Sequence, residues 1–257
     1  MKKLALGWLL TGMILMGLHP SSANAGEVVV AVATNFLLPA RDISADFEAD
    51  TGHSVVVVAG STGKLATQIL AGAPFDVFLA ADQARTELLV ARKAAVADSR
   101  FTYATGALVL WSRDALPLTG TALETLDAAR ISRLAMANPK LAPYGLAAQQ
   151  TLDRLGLLKT LASRIVYGEN IGQTFAMAAS GNVTAALIAK SQLASLPDDQ
   201  RGHWIDVPDI LHEPILQDGV LTMRAKDNIV AHSFLSFMRS DKAARVINRF
   251  GYGVSRP

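Results

Sequence analysis

Short apolar runs alternate with longer stretches of mixed polarity along most of the chain. The runs are continuous, which is typical of strands covered by helices on both faces of a parallel sheet. This rhythm favours an α/β fold. In the first part of the chain we predict strands at 28–32, 55–58 and 75–79, and helices at 38–51, 64–71 and 83–91.

A second series of the same kind begins near residue 107 and a polar loop at 197–203 follows it. The predicted strands of this series are 107–111, 134–137, 165–167 and 185–188, and its predicted helices are 123–128, 145–155 and 173–180. The last part of the chain is predicted to be extended at 214–223 and helical at 228–238 and 242–250.

The two series predict two similar α/β lobes, the second inserted into the first, each a mostly parallel sheet flanked by helices. We assign 26–105 plus 222–257 to lobe I and 106–221 to lobe II. Such an insertion requires two chain crossovers, which we place near 104–107 and 219–223. These crossovers can act as a hinge between the lobes.

Residues 1–25 have the pattern of an export signal, with two lysines, an apolar run and small residues ending at Ala25. The alternative is a membrane anchor, but the apolar run is short for a span and no basic stop follows. Cleavage near Ala25 leaves 232 residues, in which acidic and basic side chains balance. A neutral protein shows no general footprint for nucleic acid or an acidic membrane surface.

The chain contains no cysteine, which excludes a disulfide scaffold, a thiolate metal site and a cysteine nucleophile. Its five histidines show no metal-ligand spacing. The chemistry therefore has to come from other residues.

Small hydroxyl or amide residues stand at four points where a predicted strand ends and a helix begins. A helix N-terminus offers unpaired N–H groups and the positive end of the peptide dipole. Ligands of open α/β sheets lie beyond the carboxyl ends of the strands. The four junctions, two in each lobe, therefore predict a pocket that holds a small oxyanion without a charged side chain. The candidate residues are Thr34, Asn35, Ser61, Thr62, Tyr144, Asn170 and Ile171.

Each junction also has a plainer explanation. Thr34 and Asn35 are residue types that cap helices, and Tyr144 fits a buried core tyrosine as well as a hydroxyl donor. Glu169 is unfavourable beside an anion, so we expect it to point away from the pocket.

Ser61 and Lys64 match the Ser-x-x-Lys motif of penicillin-binding enzymes, in which the serine is the nucleophile. The partner motifs Ser-Asp-Asn and Lys-Thr-Gly are absent, so a serine enzyme is a remote alternative. The segment is not a Walker A loop, because Val58 and Leu65 occupy positions where that motif needs Gly and Ser or Thr.

Several segments resemble the periplasmic molybdate-binding proteins of ABC importers, over essentially the whole chain that follows the signal. The 72–82 stretch, Gly-Ala-Pro-x-Asp-Val-Phe-x-x-Ala-Asp, is long enough to be specific. The other matching segments are 33–36, 60–63, 138–139, 142–145, 169–173 and 250–252.

The resemblance implies a two-lobed periplasmic binding protein fold that closes on a tetrahedral oxyanion. It implies capture of molybdate or tungstate and delivery to the permease of an ABC importer, by a periplasmic monomer that is not an enzyme. Molybdenum would be held only as molybdate, and no cofactor is expected. One branch of the family uses a tyrosine near 185–190, where this chain has Ala189, so we exclude that segment. The implied contacts are Thr34 or Asn35, Ser61, Thr62, Tyr144, and the backbone near Asn170 and Ile171.

A binding protein for another ligand, such as sulfate, phosphate or a small organic anion, stays open as an alternative. It would have the same fold, because many ligands share one architecture.

Overall fold

The computed structural model describes residues 25–116 and 123–254. The expected export signal lies outside these ranges except for its last residue. The described strands form two five-stranded sheets. The first sheet contains β1 (Glu27–Ala33), β2 (Ser54–Gly60), β3 (Val77–Leu79), β4 (Phe101–Gly106) and β10 (Ile215–Leu221). The second contains β5 (Leu108–Ser112), β6 (Leu134–Ala137), β7 (Ile165–Gly168), β8 (Ala185–Ala189) and β9 (His203–Asp206).

In each sheet one strand runs against the other four. The first sheet has the order β2-β1-β3-β10-β4, and β10 is antiparallel to both its neighbours. The second has the order β7-β6-β8-β5-β9, and β5 is antiparallel to both of its neighbours. The expectation of two α/β lobes with mostly parallel sheets is therefore confirmed. From here, lobe I and lobe II denote the first and second sheet with their helices.

Helices cover both faces of each sheet. In lobe I, α1, α8 and α9 pack on one face and α2 and α3 on the other. In lobe II, α4 and α5 pack on one face and α6 and α7 on the other. The helices are α1 (Leu37–Thr51), α2 (Thr62–Leu70), α3 (Ala84–Ala91), α4 (Pro143–Arg154), α5 (Leu158–Leu161), α6 (Ile171–Ala179), α7 (Ser191–Ala194), α8 (Ile229–Phe237) and α9 (Asp241–Arg249).

Helix α1 illustrates how the local sequence sets an element's face and its end. Ile43 and Phe47, four residues apart, lie on the same side of the helix and are fully buried against the sheet. The helix stops at Gly52, whose backbone is left-handed with φ of 72° and whose N–H donates to Glu48 O at 2.9 Å. Glycine adopts this conformation at little cost, which explains why the helix ends there.

The second crossover is not where the sequence placed it. The first lies between β4 and β5, near the expected 104–107. The second lies in residues 207–214, between β9 and β10, rather than at 219–223. The strand Ile215–Leu221 pairs with β3 and β4, so these residues, which we had assigned to lobe II, belong to the first sheet. The other expected boundaries of the lobes stay a prediction.

Two further differences concern elements with little buried surface. The predicted helix at 123–128 is instead two 3-10 turns, Leu123–Thr125 and Ala128–Arg130. The expected loop at 197–203 runs into β9, an edge strand that exposes most of its residues and so lacks an apolar face to detect. No helix within the described ranges is long and apolar enough to cross a membrane.

The core of lobe I depends on an aromatic contact between α1 and α8. The Phe47 ring lies 5.3 Å from that of Phe234 and 5.6 Å from that of Phe237. Replacing Phe47 by alanine should lower the free energy of unfolding by about 3–5 kcal/mol, measured by urea denaturation. Leu88→Ala, at a position 40% exposed, is the control and should change it by under about 1 kcal/mol. A loss below about 1 kcal/mol for Phe47→Ala would contradict this description of the core.

Candidate functional site

A small cavity of about 10 Å³ lies between the two lobes, beyond the carboxyl ends of β1, β2, β6 and β7. Pockets for drug-sized ligands are larger, about 300–1,000 Å³. All seven residues that the sequence proposed line this cavity, and none of the lining side chains is charged. The lining residues are Ala33, Thr34, Asn35, Gly60, Ser61, Thr62, Ala81, Ala142, Pro143, Tyr144, Asn170 and Ile171.

Three helices point their N-termini at this cavity. Helix α2 begins at Thr62, α4 at Pro143 and α6 at Ile171. Proline suits the first helical position because its missing N–H would have no partner there. Asn170 caps α6, and its Oδ1 accepts from the N–H of Gln173 at 2.9 Å. The first-turn N–H groups that have no protein partner, together with the helix dipoles, favour an anion in this cavity.

Two hydroxyls from lobe I complete the donor set. Ser61 is 2% exposed, and its Oγ has no hydrogen-bond partner among the described residues. Thr62 Oγ1 accepts from the N–H of Ala81 at 3.2 Å, which leaves its own proton available. Buried hydroxyls almost always have a partner. A partnerless hydroxyl at a helix start indicates a position that a ligand completes.

Thr34 joins the two lobes at the edge of the cavity. Its Oγ1 accepts from the N–H of Gly172 in α6 at 3.2 Å and lies 3.5 Å from Asn170 Oδ1. These contacts engage the hydroxyl of Thr34 with lobe II.

The side chain of Asn35 is engaged inside the protein. Its Nδ2 donates to Gln217 Oε1 at 2.8 Å and to the Tyr252 hydroxyl at 3.0 Å. Asn35 lies in the 3-10 turn Thr34–Phe36, whose first N–H groups have no acceptor within the turn. Its contribution to an anion site would therefore come from the main chain rather than from the amide.

Tyr144 satisfies both explanations that the sequence left open, because it lines the cavity and is also a buried core residue, 1% exposed. Its hydroxyl accepts from Gln217 Nε2 at 3.1 Å. The same hydroxyl lies against Gly106 at the first crossover, where a Cβ would come within 2.1 Å of it. Tyr144 thus reaches from lobe II to the strands at the hinge.

Gln217 is the centre of this buried network, and the sequence analysis missed it. It is fully buried on β10, and its Oε1 also accepts from the Tyr103 hydroxyl at 3.1 Å. A β-bulge between Gln217 and Asp218 breaks the register with β4. The signal was present in the sequence, since Gln217 and Asp218 are polar residues within an otherwise apolar strand.

Burial controls the ionisation of the tyrosines in this network. Loss of solvation raises the pKa of Tyr252 to about 12 and raises the pKa of Tyr103 and Tyr144 well above the usual 10. Neighbouring tyrosines reinforce the shifts of Tyr103 and Tyr144. All three phenols are therefore neutral at physiological pH and act as hydrogen-bonding groups without charge.

The Ser–Lys pair of a serine enzyme is not assembled. The Lys64 ammonium forms an ion pair with Glu169 of lobe II, and Ser61 Oγ has no partner among the described residues. Glu169 does not line the cavity, in agreement with the expectation that it points away. Within 25–116 and 123–254, no group of His, Asp or Glu side chains is arranged to hold a metal ion.

Two lobes that meet around a small, uncharged, donor-lined cavity define a binding protein for a small solute. The comparisons with known proteins agree. A family model described as bacterial extracellular solute-binding protein matches residues 28–253. The chain belongs to this family of solute-binding proteins.

Individual relatives share most of their length with the chain. It is 43% identical over 238 residues to the molybdate-binding protein ModA of Azotobacter vinelandii, covering 93% of this chain and 94% of the relative. It is 40% identical over 241 residues to ModA of Rhodobacter capsulatus, covering 93% and 92%. The solved periplasmic molybdate-binding protein of A. vinelandii has a TM-score of 0.83 at 36% identity, covering 89% of this chain and all of the other.

The buried tyrosines predict how stability depends on pH. Because tyrosines of the unfolded chain ionise near pH 10, the folded state retains more protons above that pH. The free energy of unfolding should therefore be highest below about pH 10 and fall as the pH rises towards 12. Tyr252→Phe should make this fall shallower by up to about 1.4 kcal/mol per pH unit, measured by urea denaturation at pH 8–12.

The control is Tyr167→Phe, at a position 50% exposed, which should leave the slope unchanged. Equal slopes for wild type and Tyr252→Phe would contradict the burial of this phenol.

Proposed function

We propose that the protein captures molybdate, with tungstate nearly equivalent, outside the cytoplasm and delivers it to the permease of an ABC importer. The observation that carries this proposal is the cavity itself, which is small and free of charged side chains. It is lined by helix N-termini and by the partnerless hydroxyl of Ser61. The names of the relatives support the choice of molybdate among oxyanions.

Hydrogen bonds to a charged group contribute about 1.5–3 kcal/mol each. The available donors are the hydroxyls of Ser61 and Thr62 and the main-chain N–H groups at Asn35, Asn170 and Ile171. Five such bonds would support submicromolar affinity after the costs of ordering and lobe closure. Because the donors are neutral, the permease could release the anion by opening the lobes without breaking an ion pair.

Sulfate is the main alternative ligand, since it has the same charge and shape with shorter bonds. The sulfate-binding protein SubI of Mycobacterium tuberculosis shares the fold, with a TM-score of 0.74 at 11% identity. Phosphate fits less well, because it carries a proton at neutral pH and no carboxylate lines the cavity to accept it. Discrimination against sulfate would rest on the size of the closed cavity.

The proposal includes a periplasmic location after cleavage near Ala25, a monomeric state and no catalytic activity. The signal-like pattern of residues 1–25 supports the location. The separation of Lys64 from Ser61 supports the absence of serine chemistry.

Thermal unfolding of residues 26–257 tests the ligand. Molybdate or tungstate at about 100 times its dissociation constant should add about 2.7 kcal/mol, a shift of several degrees. Sulfate and phosphate at the same concentration should give little shift. A larger shift with sulfate would make sulfate the ligand, while the assignment as a solute-binding protein would stand. The absence of a shift with any oxyanion would overturn the proposal.

Ser61→Ala tests the site. The affinity for molybdate, measured by calorimetry, should fall about 10- to 100-fold because one charge-assisted hydrogen bond is lost. The unliganded stability should be unchanged or higher, since the hydroxyl has no protein partner. Ser44→Ala is a matched control, because Ser44 Oγ is also buried and partnerless but lies in α1, away from the cavity. Equal affinities for wild type and Ser61→Ala would rule out this contact.

A further inference from the structure

Charged residues from opposite lobes meet beside the cavity. Lys64, on α2 of lobe I, pairs with Glu169, in the β7–α6 loop of lobe II, and about half of each side chain is exposed. The adjacent N–H of Gly63 donates to Leu141 O of lobe II at 2.9 Å. The ion pair is therefore part of a contact between the lobes that is open to solvent.

This contact lies at the ends of the two sheets that are farthest from the crossovers. Lys64 follows β2, three strands from β10, and Glu169 follows β7, three strands from β5. At about 4.8 Å per strand, the lever from the hinge is about 14 Å. Each 10° of hinge opening then separates the two residues by about 2–3 Å, with that lever length. Opening by a few tens of degrees breaks the pair completely.

When the lobes part, Lys64 loses the partner of its ion pair and becomes an uncompensated positive charge at the edge of lobe I. Arg85 of lobe I is paired with Asp82 in the same lobe. Across the cleft, Glu169 and Lys140 of lobe II carry opposite charges, and the Lys140 carbonyl accepts from Arg85 Nη2 at 3.3 Å. An approaching dianion would thus meet a net positive lobe I rim and a neutral lobe II rim.

We propose that Lys64 and Glu169 form an ion pair made only on closure, with a separate role for Lys64 in each state. In the open form the Lys64 ammonium attracts the oxyanion to the start of α2. In the closed form Glu169 neutralises this ammonium and holds the lobes together over the bound anion. The role in attraction rests on the proposed function, because it requires an anionic ligand. The role in closure does not.

The size of each effect follows from exposure. An exposed ion pair changes an equilibrium by a factor of about 1.5–5, so loss of the pair should speed dissociation by about that factor. Attraction to a rim charge is screened within about 10 Å at 0.1 M salt. It should therefore be visible in association rates at 10 mM salt and absent at 1 M.

The experiment measures association and dissociation rates of molybdate by stopped-flow tryptophan fluorescence for K64E, E169K and K64E/E169K. At 10 mM salt, K64E should slow association about three-fold or more, and E169K should speed it. At 1 M salt the association rates of both variants should equal that of wild type. Both single variants should speed dissociation, and the double variant should return it towards wild type. K242E is the control, since Lys242 of α9 pairs with Asp46 and Asp50 of α1 inside lobe I, and its dissociation rate should be unchanged.

A second arm needs no ligand. Because the chain has no cysteine, spin labels at L88C of α3 and L146C of α4 report the distance between the lobes. In the unliganded protein K64E and E169K should reduce the minor population at the short, closed distance at low salt, and the double variant should restore it.

A double variant as open as the single variants would overturn the role in closure. Association rates that move in the same direction for K64E and E169K would overturn the role in attraction. If wild type binds neither molybdate nor sulfate, the proposed function and the role in attraction both fail, while the distances still decide the role in closure.

Discussion

A doubly charged anion enclosed between two lobes loses its water, and hydrogen-bond donors that point inward must replace that water. In the proposed site these donors are the hydroxyls of Ser61 and Thr62 at the start of α2 and the main-chain N–H groups at Asn35 and at the start of α6. That requirement dictates the rest of the architecture. The carboxyl ends of both sheets face each other across the cavity, and the chain joins the sheets by leaving the first after β4 and returning to it at β10.

The same constraint explains the buried polar network behind the cavity. Gln217 lies on β10 of lobe I, and its Oε1 accepts hydrogen bonds from Asn35 Nδ2 and the Tyr103 hydroxyl. Its Nε2 donates to the hydroxyl of Tyr144 in lobe II. With both ends of the amide occupied, its orientation is fixed. Two cavity residues, Asn35 and Tyr144, are thereby held by one strand next to the crossovers. The site and the hinge consequently share hydrogen bonds.

The sequence predicted the parts of this architecture that depend on local patterns. Continuous apolar runs such as 28–32 located the central strands, and the junctions after them located seven of the twelve lining residues, although their contact with a ligand stays a prediction. It could not predict which atoms face the cavity, because the side chain of Asn35 is held by Gln217, 182 positions away. The second crossover was misplaced because an apolar run reveals a strand but not the sheet it joins. The exposed edge strand β9 left no periodic signal at all.

The hydroxyl of Ser61 has a consequence for signalling to the membrane. When the lobes close without an anion, this group and the N–H groups around it are removed from water and gain no partner. Each buried polar group left in this way costs about 1–3 kcal/mol, which lowers the population of the empty closed form by about 5- to 150-fold per group. The closed shape then indicates that the site holds an anion. A transporter that recognises only the closed shape would hydrolyse ATP almost exclusively for binding proteins that hold an anion.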